Sequence, residues 1–159
     1  MGHVTGLRLD AMTTEDEALA LVAQWTQAFT DADLRGVLEI FAPSATFTGT
    51  SSASYTASQE AVLMYFKRVL HERVPVSCEV LRAHVQAFGP VSVVNVLDRI
   101  QWADATLPNV SWGRTTFVLY RRDTKWQIVS FHRSEVPRAT PQESERQLLE
   151  GDEQSGKDR

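Results

Sequence analysis

Two dipeptides in the C-terminal half carry the side chains best suited to chemistry, Asp98-Arg99 and His132-Arg133. Both lie in segments of alternating character, so the two members of each pair point to opposite faces of a strand. By that alternation Arg133 shares a face with Phe131 and Val129, and Arg99 shares one with Leu97. A guanidinium among apolar neighbours is costly unless a carboxylate, a phosphate or an internal acid pairs with it. Its planar fork matches a carboxylate bidentately. The two arginines therefore bind a ligand, pair with acids of the chain, or reach water at a sheet edge. His132 offers general acid–base chemistry near neutral pH. Its parity sets it opposite Arg133, on the outer face of the strand, where a cross-strand bond or a subunit contact would hold it.

Other chemistries have no footing. Cys78 is the single cysteine, which excludes an internal disulfide and a cysteine zinc cage. A strand cysteine of this kind is expected to be a small buried apolar residue rather than a nucleophile. His3, His71, His84 and His132 lack ligand spacing, so no metal is expected. No glycine-rich phosphate loop and no G-x-S-x-G elbow occurs, and no cofactor is expected. A net charge of −4 argues against nucleic acid or an anionic membrane as partner. The sequence holds no apolar run of about 18 residues and no signal-peptide core, so the expected location is the cytoplasm.

The elements that must position these side chains can be read from period and punctuation. Thr14 and Glu17 form a capping box ahead of a helix over 15–30, with Ala18, Leu21, Val22, Trp25, Ala28 and Phe29 on its apolar face. Asp33 caps a short helix through Phe41, which Pro43 stops. A short strand covers 45–48, a polar loop follows, and Ser58 caps a third helix carrying Tyr65 and Phe66. From Val76 the period becomes two. Four long strands cover 76–87, 91–103, 110–122 and 125–134, with Gly89-Pro90 and Asp123-Thr124 as tight turns and a loop around Pro108. Helices first and strands after predict an α+β fold, helices packed on one face of an antiparallel sheet. Long strands with one covered face curl, and a helix across one mouth makes a conical pocket. Residues 1–13 read as a flexible lead-in, 14–137 as one domain, and 138–159 as a polar tail rich in acids.

The final hairpin, Tyr120-Arg121-Arg122-Asp123-Thr124-Lys125-Trp126-Gln127-Ile128-Val129-Ser130-Phe131-His132-Arg133-Ser134 followed by Pro137, closely resembles that of the calcium/calmodulin-dependent protein kinase II association domain. Met64-Tyr65-Phe66 and Val96-Leu97-Asp98-Arg99-Ile100 fit the same family, a branch of the nuclear transport factor 2-like or SnoaL-like cone fold. The chain is similar also to small proteins of polyketide and enediyne biosynthesis. The resemblance implies a deep pocket with arginines on the inner face of the sheet, carried here by Arg99 and Arg133. Phe117 stands where the family has a third, and Arg114 falls on the opposite face. In ketosteroid-isomerase-like members an aspartate abstracts a proton beside a carbonyl. Asp98 takes that part only if a bulge turns it inward, and Glu79 is a weaker candidate. Trp25, Phe41, Phe47, Tyr65 and Trp102 are candidates to line the mouth or floor, and Tyr55 a lid.

Three functions follow from this reading. The first is an arginine-bearing pocket for a small anionic or carbonyl-containing organic ligand. The second is a cofactor-independent isomerase, cyclase or dehydratase using His132 or Asp98. The third is a purely structural oligomerisation module. The face carrying Trp126, Ile128, Ser130 and His132, with Trp112, Val118 and Tyr120, is expected to make a homodimer or larger assembly.

Overall fold

The computed structural model describes residues 12–104 and 109–137. The expected polar tail, most of the lead-in and the loop at 105–108 lie outside them. The order is α1 (Thr14–Thr30), α2 (Leu34–Ile40), β1 (Phe41–Thr48), α3 (Gln59–Glu72), β2 (Pro75–Phe88), β3 (Val91–Trp102), β4 (Val110–Arg122) and β5 (Lys125–Glu135). The fold is α+β, with one curved five-stranded sheet in the order β1-β5-β4-β3-β2. The pairs β2–β3, β3–β4 and β4–β5 are antiparallel, while β1 lies parallel to β5.

The helix ends follow from their caps. The box that starts α1 is Thr13 with Asp16, one residue before the expected Thr14 and Glu17. The Asp16 N–H donates to Thr13 Oγ1 (3.1 Å) and the Thr13 N–H to Asp16 Oδ2 (3.0 Å). Glu17 is engaged elsewhere, accepting from the indole Nε1 of Trp126 at 2.7 Å and so tying the start of α1 to β5. The helix ends in a Schellman turn: Asp33 N–H bonds to Ala28 O and Ala32 N–H to Phe29 O. Ala32 holds the left-handed position (φ 53°) that glycine usually takes. Asp33 and Ser58 cap α2 and α3 as expected. Helix α2 stops at Ile40, and Phe41 and Pro43 belong to β1 instead. Pro43 is tolerated because β1 is an edge strand and its register with β5 shifts between Phe41 and Thr46.

Period-two burial decides which side chains meet the helices. In β3 the inward residues are Ser92, Val94, Val96, Asp98, Ile100 and Trp102. In β4 they include Ser111, Thr115, Phe117 and Leu119. In β5 they are Trp126 and Ile128, then, after a bulge at Val129, Phe131 and Arg133. The bulge corrects the expected outer patch, because Trp126 (8% exposed) and Ile128 (0%) belong to the core. Ser130, His132, Trp112, Val118 and Tyr120 stay on the outer face.

The core is aromatic. Trp25 stacks on Phe29 at 5.3 Å, Phe47 on Phe131 at 5.1 Å, and Phe117 meets Trp25 edge-on at 5.6 Å. Such contacts add to the area term, which for a fully buried aromatic is about 1.5–3 kcal/mol. No helix among the described residues is long and apolar enough to cross a membrane.

Candidate functional site

Between the helices and the concave face of the sheet lies a cavity of about 320 Å3. Its apolar wall is built by Trp25 and Phe29 of α1, Phe47 of β1, Tyr65 and Phe66 of α3, Trp102 of β3 and Phe131 of β5. On α3, Tyr65, Arg68, Val69 and Glu72 share one helix face by their i, i+3, i+4, i+7 spacing, with Phe66 beside them. The polar wall consists of Thr50 and Ser51 from the loop after β1, with Ser111, Arg133 and Glu135 from the sheet. Gly49 lets that loop approach, since a Cβ there would fall on the ring of Tyr65.

The deep end is organised around a buried ion pair. Arg133 and Asp98 are each 6% exposed at the side chain, and Arg133 Nη2 lies 2.6 Å from Asp98 Oδ1. Arg133 Nε donates to the same oxygen at 3.0 Å. Thr115 Oγ1 donates to the other oxygen, Oδ2, at 2.6 Å. Arg133 Nη1 donates to Thr50 Oγ1 at 2.8 Å, and both Nη atoms reach Ser111 Oγ at 3.3 Å. Space for the guanidinium comes from Gly113, where a Cβ would sit 2.5 Å from Arg133 Cζ and Nε. Ser111 Oγ in turn donates to Glu135 Oε1 at 2.8 Å. Arg133 thus lines the cavity, while Asp98 stands behind it and is not part of the wall.

At the rim, Arg68 lies over the Tyr65 ring at 5.4 Å and reaches Ser51 Oγ at 3.1 Å and Glu72 Oε2 at 3.4 Å. Arg73 lies over the Trp102 ring at 4.5 Å.

The sequence-based candidates divide on this geometry. Arg133, Trp25, Tyr65, Phe47 and Trp102 reach the cavity. Arg99 does not, which reverses the expectation that it faces Arg133. It lies on the outer face of β3, ion-paired to Glu79 at 2.8 Å and 5.7 Å from the Trp112 ring centre. Asp98 points inward by simple alternation, without the bulge invoked for it, because β3 keeps an unbroken register with β4. Its carboxylate oxygens accept from Arg133 and Thr115, and it does not line the cavity. His132 is exposed on the outer face beside Thr116, away from the cavity. Phe117 and Phe41 are core residues behind the wall, 2% and 1% exposed. Arg114 is exposed on the outer face, and Tyr55 is 70% exposed and outside the wall.

Reading the sequence missed Thr50, Ser111, Thr115, Glu135 and the rim residues Arg68, Glu72 and Arg73. The helical spacing of Tyr65, Arg68, Val69 and Glu72 was the available signal for the rim. Among the described residues no cluster of histidine, cysteine, aspartate and glutamate is disposed to hold a metal.

Cys78 lies on the inward face of β2, opposite Ile100 and near the ion pair. Burial, then the charge of Asp98, push its thiol up from 9.0 to about 12, with Arg133 opposing. A disulfide reagent at pH 8 is therefore expected to modify native Cys78 at least about tenfold more slowly than the urea-unfolded chain. The unfolded chain ionises first, so this group's contribution to stability is complete below pH 9.0 and declines as the pH rises toward about 12. Equal native and unfolded labelling rates would contradict the assignment.

The model of the SnoaL-like domain matches residues 18–139. The delta subunit of calcium/calmodulin-dependent protein kinase type II from Oryctolagus cuniculus is 26% identical over 132 residues, covering 80% of this chain and 25% of the kinase subunit. The chain therefore spans about a quarter of that relative's length. A solved structure from Xanthomonas campestris, described as a calcium/calmodulin-dependent protein kinase II association domain, superposes with a TM-score of 0.72 at 25% identity, covering 87% of this chain and 99% of that one. An NTF2-like protein from Pseudomonas putida superposes with a TM-score of 0.68 at 22% identity, over 83% and 94% of the two chains, and shows the shared fold.

Proposed function

The chain belongs to the SnoaL-like domain family, and from that premise we propose that its cavity binds a small organic molecule with an aromatic or alicyclic body and an oxygen-bearing end. One observation carries the reading. The cavity of about 320 Å3 is walled by aromatic side chains from α1, α3 and the sheet, and gathers the Thr50 and Ser111 hydroxyls around the Arg133 guanidinium, with Arg68, Glu72 and Arg73 at its rim. A few placed polar groups in an otherwise apolar chamber fix a ligand's orientation. Membership of the fold family does not name the chemistry. The acid–base reading that relied on His132 and Asp98 finds neither in the wall, and among the described residues no histidine lines the cavity.

The test is thermal unfolding against a panel of aromatic ketones, lactones and small carboxylates, with Val69→Trp as the variant that fills the entrance from α3. A ligand at a hundredfold excess over Kd adds about 2.7 kcal/mol, which raises Tm by several degrees in a chain of this size. The wild type should respond to at least one compound and Val69→Trp should not. No response, or an equal one in the variant, counts against a ligand site.

Self-association is the second reading, and the names of the similar proteins, a kinase II subunit and an association domain, favour it. The outer face of the sheet offers Val91, Val93, Leu97, Trp112 and Val118, all half-buried, and Tyr120, 41% exposed. Size-exclusion chromatography with light scattering should give a multiple of 17.8 kDa. A species of monomer mass across micromolar concentrations would remove this reading.

A further inference from the structure

We propose that the cavity is built for a neutral, carbonyl- or hydroxyl-bearing ligand, and that Asp98 is the specificity-determining residue that turns carboxylates away. This rests on the ligand-binding reading and takes it one step further.

The argument begins with charge. A lone arginine at the end of an apolar chamber would attract an anion strongly. Here Arg133 gives Nε and Nη2 to one oxygen of Asp98, and both members of the pair are 6% exposed at the side chain. The positive charge is cancelled inside the protein before any ligand arrives. The rest of the boundary is balanced in number of charges, two cations with two carboxylates. Arg68 and Arg73 at the rim stand with Glu72 and Glu135, and Arg68 reaches Glu72 at 3.4 Å. An entering carboxylate would lose its hydration and meet no net positive charge in return, which is the costly case for buried ions.

A neutral acceptor fares differently. The partners of Arg133 that line the cavity are the hydroxyls of Thr50 and Ser111. A hydroxyl donates as well as accepts and turns to suit its partner. Ser111 already gives its proton to Glu135, so a ligand carbonyl or hydroxyl enters this network by accepting from Thr50 Oγ1, without breaking the ion pair behind it. Asp98 does not touch the cavity and acts through Arg133.

The test compares benzoate with benzamide and acetophenone on the wild type and on Asp98→Asn, by calorimetric titration and thermal unfolding. The isosteric amide keeps the shape and uncovers the arginine. The wild type is expected to respond to benzoate more weakly than to the neutral probes. In Asp98→Asn, benzoate affinity should rise on the order of tenfold to a hundredfold, the effect of one charge-assisted bond pair. Benzoate should also raise the Tm of the variant, while benzamide and acetophenone should not gain. A wild type that takes benzoate as well as benzamide overturns the proposal, as does an Asp98→Asn variant with no benzoate response.

If the wild type binds none of the probes, the ligand-binding reading is what suffers. The variant arm still decides the role of Asp98, because a new benzoate response supports it and none overturns it. Should Asp98→Asn fail to fold in chloride buffer, refolding in benzoate supplies the same readout. Recovery in benzoate but not in benzamide supports the proposal, and recovery in neither, or in both alike, overturns it.

Discussion

Asp98→Ala is expected to lower the unfolding free energy by about 3–5 kcal/mol. The change leaves Arg133 buried, 6% exposed, with its principal acceptor gone. Thr115 also loses its partner on Oδ2. A domain of ordinary stability has only about 5–15 kcal/mol in total, so this single truncation takes much of it. The pair itself is a different matter, since its attraction is offset by the desolvation of both ions. Asp98→Leu combined with Arg133→Met should therefore recover most of the loss. Urea denaturation followed by tryptophan fluorescence measures both. A loss under about 1 kcal/mol for Asp98→Ala would mean that water or another acid compensates Arg133.

Gly113→Ala should cost nearly as much, although it removes no contact. The added methyl would occupy the place of the guanidinium, 2.5 Å from Arg133 Cζ and Nε. An arginine head is normally free to swing aside, but this one is held by Asp98, Thr50 and Ser111. Moving it breaks the ion pair, so the loss approaches that of Asp98→Ala. The coupling is the sharper measurement. In the Asp98→Leu, Arg133→Met background the shorter, unanchored side chain can yield. Gly113→Ala should there cost about 1 kcal/mol or less by a double-mutant cycle. Equal costs in the two backgrounds would place the damage in the backbone of β4 instead.

The parts of this molecule that could be read from the sequence are those where one local signal decides. Ser58 and Asp33 cap helices because each places an oxygen near an orphan N–H three residues on. The four long strands follow from period and turn residues, and their bounds lie within one residue of those expected. The facing of Asp98 and Arg99 failed because both faces of β3 are apolar. Val94, Val96 and Ile100 lie on one side, Val93 and Leu97 on the other, so hydrophobicity could not rank them. The resemblance then favoured an inward arginine, and the inward residue proved to be the aspartate beside it. Arg133 does lie on the face of Phe131, but Val129, expected on that face too, is the bulge residue. Trp126 and Ile128 were placed wrongly, because the bulge at Val129 has no glycine or proline to announce it. The network of Thr50, Ser111 and Thr115 is assembled from a loop and one strand, and no spacing along the chain brings those three together.

The bulge at Val129 has one more consequence. Before it, β5 sends Trp126 and Ile128 inward, and after it Phe131 and Arg133. Ile128 and Arg133 lie five positions apart, so it is the bulge that keeps them on one face. Loss of Val129 would restore strict alternation with Phe131 and Arg133 still inward, whereas a bulge-free strand that kept Val129 would carry the histidine into the chamber and the arginine to the surface. Asp98 would then face an imidazole. Among homologous chains of this length, whether the bulge is kept should therefore be a better guide to what the chamber accepts than the presence of the histidine–arginine pair itself.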